Sequence, residues 1–264
     1  MTRMTVAYWL HVQHGNIDLP NDAMPFGTAE QLALQQRPYL CIAHYKGYPV
    51  HLLLDDPQDF ANVQDHVDYQ NLRSQLYRSS AEFQVLSRAV GLAEFFQDYQ
   101  FCHVCGHSLE MHTTQIAKVC SNCHRQHFPR INPSIIVAVR KGRQILLAMH
   151  NRRRQKPIYT VLAGFVEIGE TIENATHREV LEESGIHIKN LQYLQSQPWC
   201  FPNSLMLGFL AEYDHGDIVI QQEELSDAQW FDIDHLPENL PEQGTISRFL
   251  IEQTVQLIRQ SNIQ

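Results

Sequence analysis

The stretch from Gly164 to Ile186 reads Gly164-Phe-Val-Glu-Ile-Gly-Glu170-Thr-Ile-Glu-Asn-Ala-Thr-His-Arg178-Glu179-Val-Leu-Glu182-Glu183-Ser-Gly185-Ile186. Thr171 offers the hydroxyl of an N-cap, a glutamate follows in the first turn, and Gly185 supplies a stop. The pattern therefore predicts a helix over about 171–184. At ~100° per residue, Glu179, Glu182 and Glu183 fall within an arc of about 100° on one side of that helix. Like charges so close cost a helix several tenths of a kcal/mol per pair. A divalent cation among them removes the repulsion, and an all-oxygen ligand set suits Mg²⁺ or Mn²⁺, which bridge to substrate phosphate. Glu170 precedes the helix proper, and a loop containing Gly164 is expected to fold back and bring it near the same ions. The guanidinium fork of Arg178 can orient a glutamate. An acidic helix face by itself is ordinarily only a solvated one, so the flanking glycine and arginine positions have to carry the assignment.

Working outward, Ile135-Ile-Val-Ala-Val-Arg140 and Ile145-Leu-Leu-Ala-Met-His150 read as two strands joined by a short turn at Lys141-Gly142-Arg143. Further strands are expected around 205–213 and 228–231, and a closing helix from about 245 to 259. Strands with helices before and after predict an α+β architecture, a sheet sandwiched between helices. Nearer the start, a hairpin is expected around Lys46-Gly47. A helix is expected from about Ser80 to Phe96, with Phe83, Leu86, Val90 and Ala93 at steps of three and four. Three domains result: residues 1–97, small and α+β; 98–132, cysteine-rich; and 133–264, carrying the carboxylate helix.

In the middle segment, Cys102-x2-Cys105 and Cys120-x2-Cys123 are separated by fourteen residues. Each turn points two thiolates at one ion, and two turns complete a closed tetrahedral Zn²⁺ site, which is structural rather than catalytic. The stretch has too few apolar residues to fold alone, so the metal supplies much of its folding free energy. A redox dithiol is the rival reading. His103, His107, His124 and His127 crowd the segment and could each replace a thiolate. Zinc ribbons also bind nucleic acid or protein, which keeps a non-catalytic binding module in view.

The whole chain has 264 residues, 44% hydrophobic and 19% charged, enough apolar material for a large core. Twenty Lys+Arg against 29 Asp+Glu leave a net charge of −9, which disfavours general adhesion to DNA or anionic lipid. Any phosphate-bearing substrate must then be met locally, by a metal ion or a few placed cations. Arg152-Arg153-Arg154 could serve an RNA backbone, although a solvated basic run is the plainer reading. No apolar run approaches the ~20 residues of a membrane span, and the start of the chain does not read as a signal peptide. Paired cysteines in so large a chain fit a reducing compartment, so a soluble cytoplasmic protein is expected.

Gly164, five residues, Glu170, seven residues, then Arg178-Glu179-Val-x-Glu182-Glu183-x-Gly185-Ile186 fills every defined position of the box that marks the Nudix hydrolases, and the chain resembles that family. A second signature, Ser196-Gln197-Pro198-Trp199-Cys200-Phe201-Pro202-Asn203-Ser204, resembles the Ser-Gln-Pro-Trp-Pro-Phe-Pro-x-Ser motif of the family's NADH pyrophosphatase branch. That branch is also similar in its four-cysteine ribbon and in a short aromatic-Pro-Arg link, here Phe128-Pro129-Arg130. Independently of any family, the segment reads as a loop that its prolines stiffen, and Trp199 and Phe201 offer flat faces to a base.

The resemblance implies a Nudix α/β/α sandwich behind the ribbon. It also implies metal-dependent hydrolysis of the diphosphate in NADH or NAD⁺ to AMP and nicotinamide mononucleotide, with removal of NAD caps from RNA. ADP-ribose or a diadenosine polyphosphate is the alternative substrate. By the same resemblance, Glu179, Glu182 and Glu183 hold the catalytic metals with Glu170 in support, and Glu182 serves as base or positions the water. Glu224 adds a metal ligand, with Glu223 as the alternative register, and Ala163 adds its carbonyl. Gln197, Pro198, Trp199, Cys200, Phe201, Pro202, Asn203 and Ser204 line the nucleotide pocket, and Ser247 makes a backbone contact. Phe128 stacks on the ligand across a homodimer, and Arg73 contacts substrate from the first domain. Two departures from the pattern stand out: Cys200 replaces a proline, and Phe128 replaces a tyrosine, which keeps the ring and loses the hydroxyl.

Overall fold

The computed structural model describes residues 5–54, 67–151, 157–201 and 203–261. The chain divides into two compact units, Met1–Arg130 and Ile131–Gln264.

In the first unit, β1 (Ala7–Leu10) lies parallel to β6 (Tyr48–Leu53) in a sheet of order β4-β1-β6-β5, with β4 at Phe26–Gly27 and β5 at Tyr39–Tyr45. A second small sheet joins β2 (Val12–Gln13), β3 (Asn16–Asp18) and β7 (Tyr69–Asn71). The β5–β6 hairpin turns at Lys46 and Gly47, both at positive φ (49° and 84°), the backbone that a tight two-residue hairpin demands. Helix α1 (Ser80–Asp98) starts where Ser79 accepts a hydrogen bond from the Glu82 N–H, and it buries Phe83, Leu86, Val90 and Ala93 as the spacing predicts. The cysteine ribbon is a three-stranded sheet of β8 (Leu109–Met111), β9 (Lys118–Cys120) and β10 (Gln126–His127). Lys118, buried in β9, donates to the carbonyls of Phe96 (2.8 Å) and Tyr99 (2.6 Å). Its ammonium thus satisfies acceptors at the C-terminal end of α1, where a helix leaves carbonyls unpaired and favours a cation.

The second unit is a seven-stranded mixed sheet with a helix on each face. Its centre is β11 (Asn132–Lys141), parallel to β16 (Ser204–His215) and antiparallel to β14 (Leu162–Phe165). The unbroken apolar run of β11 is explained by burial on both sides. Ile135, Val137 and Val139 join the core under α2 (Ile172–Ser184) with Ala175 and Val180. Ile136 and Ala138 join the core under α3 (Ile246–Ser261) with Ile246, Leu250 and Ile251. The α/β/α sandwich expected from the resemblance is the fold found. Outer positions are held by β12 (Gln144–His150), β13 (Tyr159–Thr160), β15 (His187–Trp199) and β17 (Leu225–Asp232).

Two local expectations change. Gly164 lies within a strand rather than a loop, opposite Ile135 in the β11–β14 ladder. The segment Ser196–Trp199 is the end of a thirteen-residue strand, and Trp199 pairs with Ser204. Strand β15 escapes sequence reading because it is mostly polar, half-exposed and interrupted by register shifts, so its residues do not alternate cleanly. No helix among the described residues is long and apolar enough to cross a membrane.

Candidate active site

Helix α2 begins and ends as its sequence dictates. Thr171 accepts from the Asn174 N–H at 3.2 Å, and Gly185 takes the left-handed conformation (φ 74°) with its N–H on the Leu181 carbonyl at 2.8 Å. The caps fix where the helix starts and stops, and burial of Ala175 and Val180 in the core sets the direction of its acidic face. Arg178 is the hub. Its guanidinium grips Glu170 through two bonds (2.7 and 2.9 Å) and reaches Glu179 and Glu182 at 2.9 Å each. It also donates to the Phe165 carbonyl at 3.0 Å, tying α2 to the end of β14. One cation therefore orders three carboxylates, more than the single glutamate expected of it. Glu170 also accepts from the Glu167 N–H at 3.0 Å. The arginine bonds first and this amide second hold its carboxyl down at about 2.

Glu183 is treated differently. It is 1% exposed, and neither carboxylate oxygen has a hydrogen-bond partner among the described residues. Burial, followed by the negative charges of Glu179 and Glu224, pushes its pKa up to about 8. Burial likewise raises Glu179, against the lowering pull of Arg178. An orphaned, buried carboxylate facing two others is costly unless a cation completes it. The oxygen donors present suit a hard dication. Gly164 contributes space: a Cβ there would stand 2.0 Å from Glu179 Cδ, so only glycine lets that carboxylate lie against the strand. The carbonyl of Ala163 belongs to the peptide bond entering Gly164. Glu224, just before β17, sits on a turn whose backbone is bonded to α2: Gln221 N–H donates to the Glu183 carbonyl at 3.1 Å, and Glu224 N–H to that of Gln221 at 3.0 Å. Its charge acts on both Glu179 and Glu183.

The second signature closes the neighbouring end of the sheet. Trp199 and Phe201 pack edge to face, ring centres 5.3 Å apart and planes at 76°. Gln197 does not simply point into a pocket: its amide donates to the Gly244 carbonyl and accepts from the Ile246 N–H, both at 2.8 Å. At the start of α3, Thr245 accepts from the Arg248 N–H at 3.2 Å, while the Ser247 N–H has no partner among the described residues. Ser204 and Ser247 are buried, Pro198, Cys200 and Asn203 are half-buried, and Pro202 lies outside the described residues, as do Arg152, Arg153 and Arg154. Phe165 was missed by sequence reasoning. Its ring is 50% exposed although apolar, and its own carbonyl is held by Arg178. Its only sequence signal is an aromatic residue directly after Gly164.

In the first unit, the Sγ atoms of Cys102, Cys105, Cys120 and Cys123 all lie within 4.8 Å of one another. Cys102 and Cys123 are 3.7 Å apart, and Cys105 and Cys120 are 3.4 Å apart. Four ligands at ~2.3 Å around a tetrahedral ion stand roughly 3.8 Å from each other, so this set fits zinc. The Cys123 N–H on Cys120 Sγ (3.4 Å) draws that thiol toward its thiolate. Among the described residues no carboxylate set gathers its oxygens so tightly, because Arg178 draws Glu179 and Glu182 to itself. Arg73 and Phe128 also belong to this first unit, and Phe128 is 50% exposed.

Residues 129–251 match the model of the NUDIX domain. The chain is 45% identical over 254 residues to the NAD-capped RNA hydrolase NudC of Haemophilus influenzae strain PittEE, covering 96% of this chain and 94% of that one. It is 45% identical over 253 residues to NudC of Edwardsiella ictaluri, with 96% and 94% covered. To NudC of Vibrio parahaemolyticus it is 44% identical over 255 residues, with 97% and 95% covered. Likeness of this extent runs through both units, well beyond the domain that carries the box. The chain belongs to the Nudix hydrolases, in the branch of the NAD-capped RNA hydrolases.

Proposed function

We propose that this chain hydrolyses the diphosphate bond of NADH and NAD⁺ to AMP and nicotinamide mononucleotide, and that it removes NAD caps from RNA 5′ ends by cutting the same bond. The observation that carries this reading is the 45% identity to NAD-capped RNA hydrolases along 96% of the chain, together with a box intact at every position. Glu179, Glu182, Glu183 and Glu224, with the Ala163 carbonyl, would hold Mg²⁺ or Mn²⁺. Such an ion, when bound, polarises a phosphoryl oxygen, lowers the pKa of water and neutralises the leaving phosphate. Glu182 serves as base or positions the attacking water. Its side chain is 53% exposed, so water reaches it, and Arg178 fixes its direction. Arg178 also keeps Glu170 ionised and Glu179 turned toward Gly164.

Trp199 and Phe201, with the rest of the segment 197–204, give the nucleotide its wall, and the unclaimed Ser247 N–H offers it a donor. The cysteine set holds a structural Zn²⁺, and residues 98–132 form its ribbon between the first domain (1–97) and the hydrolase domain (133–264). A cytoplasmic homodimer, with Phe128 stacking on ligand and Arg73 reaching substrate, completes the reading through the family resemblance. The test is a comparison of initial rates on NADH, NAD⁺, ADP-ribose and NAD-capped RNA, with Mg²⁺ and with Mn²⁺. A tenfold preference, equivalent to ~1.4 kcal/mol of transition-state binding, for the NAD-containing substrates is expected. Preference for ADP-ribose would replace this reading.

A further inference from the structure

The first turn of α3 is fastened from two sides. Gln197, near the end of β15, takes the Ile246 N–H on its amide oxygen and gives an N–H to the Gly244 carbonyl, both at 2.8 Å. Thr160, at the end of β13, shares a 2.6 Å hydroxyl–hydroxyl bond with Ser247, which is buried. A helix start leaves its first N–H groups without intrahelical partners. Here Gln197 satisfies that of Ile246, the Thr245 hydroxyl satisfies that of Arg248, and that of Ser247 is left over among the described residues. Thr160 is also three residues before Ala163 on the strand segment that runs into Gly164. The two side chains therefore join the signature strand, the strand entering the carboxylate site and the helix start into one body.

We propose that Thr160 and Gln197 are positioning residues that hold the first turn of α3 so that the Ser247 N–H stays available to an oxygen of the bound dinucleotide. This rests on the functional reading above and deepens it. Neither side chain needs to touch the ligand. Thr160 acts through Ser247, and Gln197 through the backbone of Gly244 and Ile246. The Ser247 hydroxyl, already engaged by Thr160, is not the group offered. A fixed donor at a helix start favours a partly negative oxygen, and losing its alignment weakens binding without touching the groups that cut the bond.

Thr160→Val keeps the shape of the side chain and removes the hydroxyl, while Thr160→Ser keeps the hydroxyl. With NADH as substrate, Thr160→Val should raise KM about five- to tenfold, the scale of one hydrogen bond, with kcat within about twofold of wild type. Thr160→Ser should restore KM. A purely structural role predicts instead a lower melting temperature and less active enzyme with KM unchanged, and that result overturns the proposal. Hydrogen exchange of the Ile246 amide in the unliganded protein gives a readout independent of activity. It should be protected in wild type and lose protection in Gln197→Ala. Wild-type protein that fails to cleave NADH would sink the functional reading alone. Unchanged Ile246 exchange in Gln197→Ala would sink the latch alone.

Discussion

Replacing Glu183 by glutamine separates the cost of its buried charge from its use. In the wild type without added dication, the Glu183 carboxyl has a folded-state pKa of about 8 against an ordinary 4.5. The folded protein thus holds a proton that the unfolded chain releases, and stability falls as pH rises from 4.5 toward 8. At pH 7 the penalty is roughly 3 kcal/mol, and between pH 5.5 and 8.5 it grows by about that much again. Glutamine has no such titration, though its unpaired amide costs about 1–3 kcal/mol at every pH. The difference in melting temperature between Glu183→Gln and wild type should therefore shift in favour of the variant by roughly 6–12 °C from pH 5.5 to 8.5, at about 2–4 °C per kcal/mol. Added Mg²⁺ should reverse the order at high pH. It stabilises the wild type by binding the folded state and does little for the variant, whose kcat on NADH should fall about a hundredfold or more. Thermal melts of both proteins across that pH range, with and without 5–10 mM Mg²⁺ (about that range suffices for mass action), decide the matter. Parallel pH profiles, or equal stabilisation of both proteins by Mg²⁺, would show that Glu183 neither carries a destabilising buried charge nor holds the dication.

Other perturbations probe the remaining parts. Gly164→Ala puts a methyl where Glu179 lies, so kcat should drop at least about tenfold with a melting temperature within a few degrees of wild type; an unchanged kcat would contradict the cradle. Arg178→Lys keeps a charge but loses the fork that holds Glu170, Glu179 and Glu182, and kcat/KM should fall about 10- to 100-fold. The Glu170 carboxyl, held at about 2 by that fork, should titrate nearer its ordinary range in the variant, as read by carboxyl NMR. In wild type its contribution to stability is in place above the ordinary pKa of 4.5 and is lost as pH falls through about 2, a fall absent from the variant. Cys120→Ser should lower bound zinc from one per chain toward zero and expose the first unit to proteolysis, measured by metal analysis and limited digestion. Full zinc occupancy in that variant would remove Cys120 from the site.

The second unit was legible where burial and chemistry coincide. The run Ile135–Arg140 announced a strand, which the structure covers on both faces, and Thr171 and Gly185 bracketed α2 to within a residue. The carboxylate face could be drawn from helical geometry, but not the part played by Arg178, since a side chain that gathers three partners looks like any other arginine in sequence. Glu183 and Glu182 are adjacent and identical in type; only packing makes one buried and the other exposed. Strand β15 was hidden by polar residues and shifted register, and with it the double bond from Gln197 to the start of α3, which spans 47 and 49 residues of chain. Lys118 was unreadable for a similar reason, because its partners, Phe96 and Tyr99, are backbone carbonyls. Long-range pairings with main-chain atoms leave no trace in side-chain spacing.

This acidic face, with a dication, is proposed to cut the diphosphate of a nicotinamide dinucleotide. Its most direct test is product analysis of NADH incubated with the zinc-loaded protein while Mg²⁺ or Mn²⁺ is varied. AMP and reduced nicotinamide mononucleotide should form in equal amounts, and only when the dication is present. Intact NADH at saturating dication, or cleavage that proceeds equally well without it, would rule out metal-dependent hydrolysis at this site.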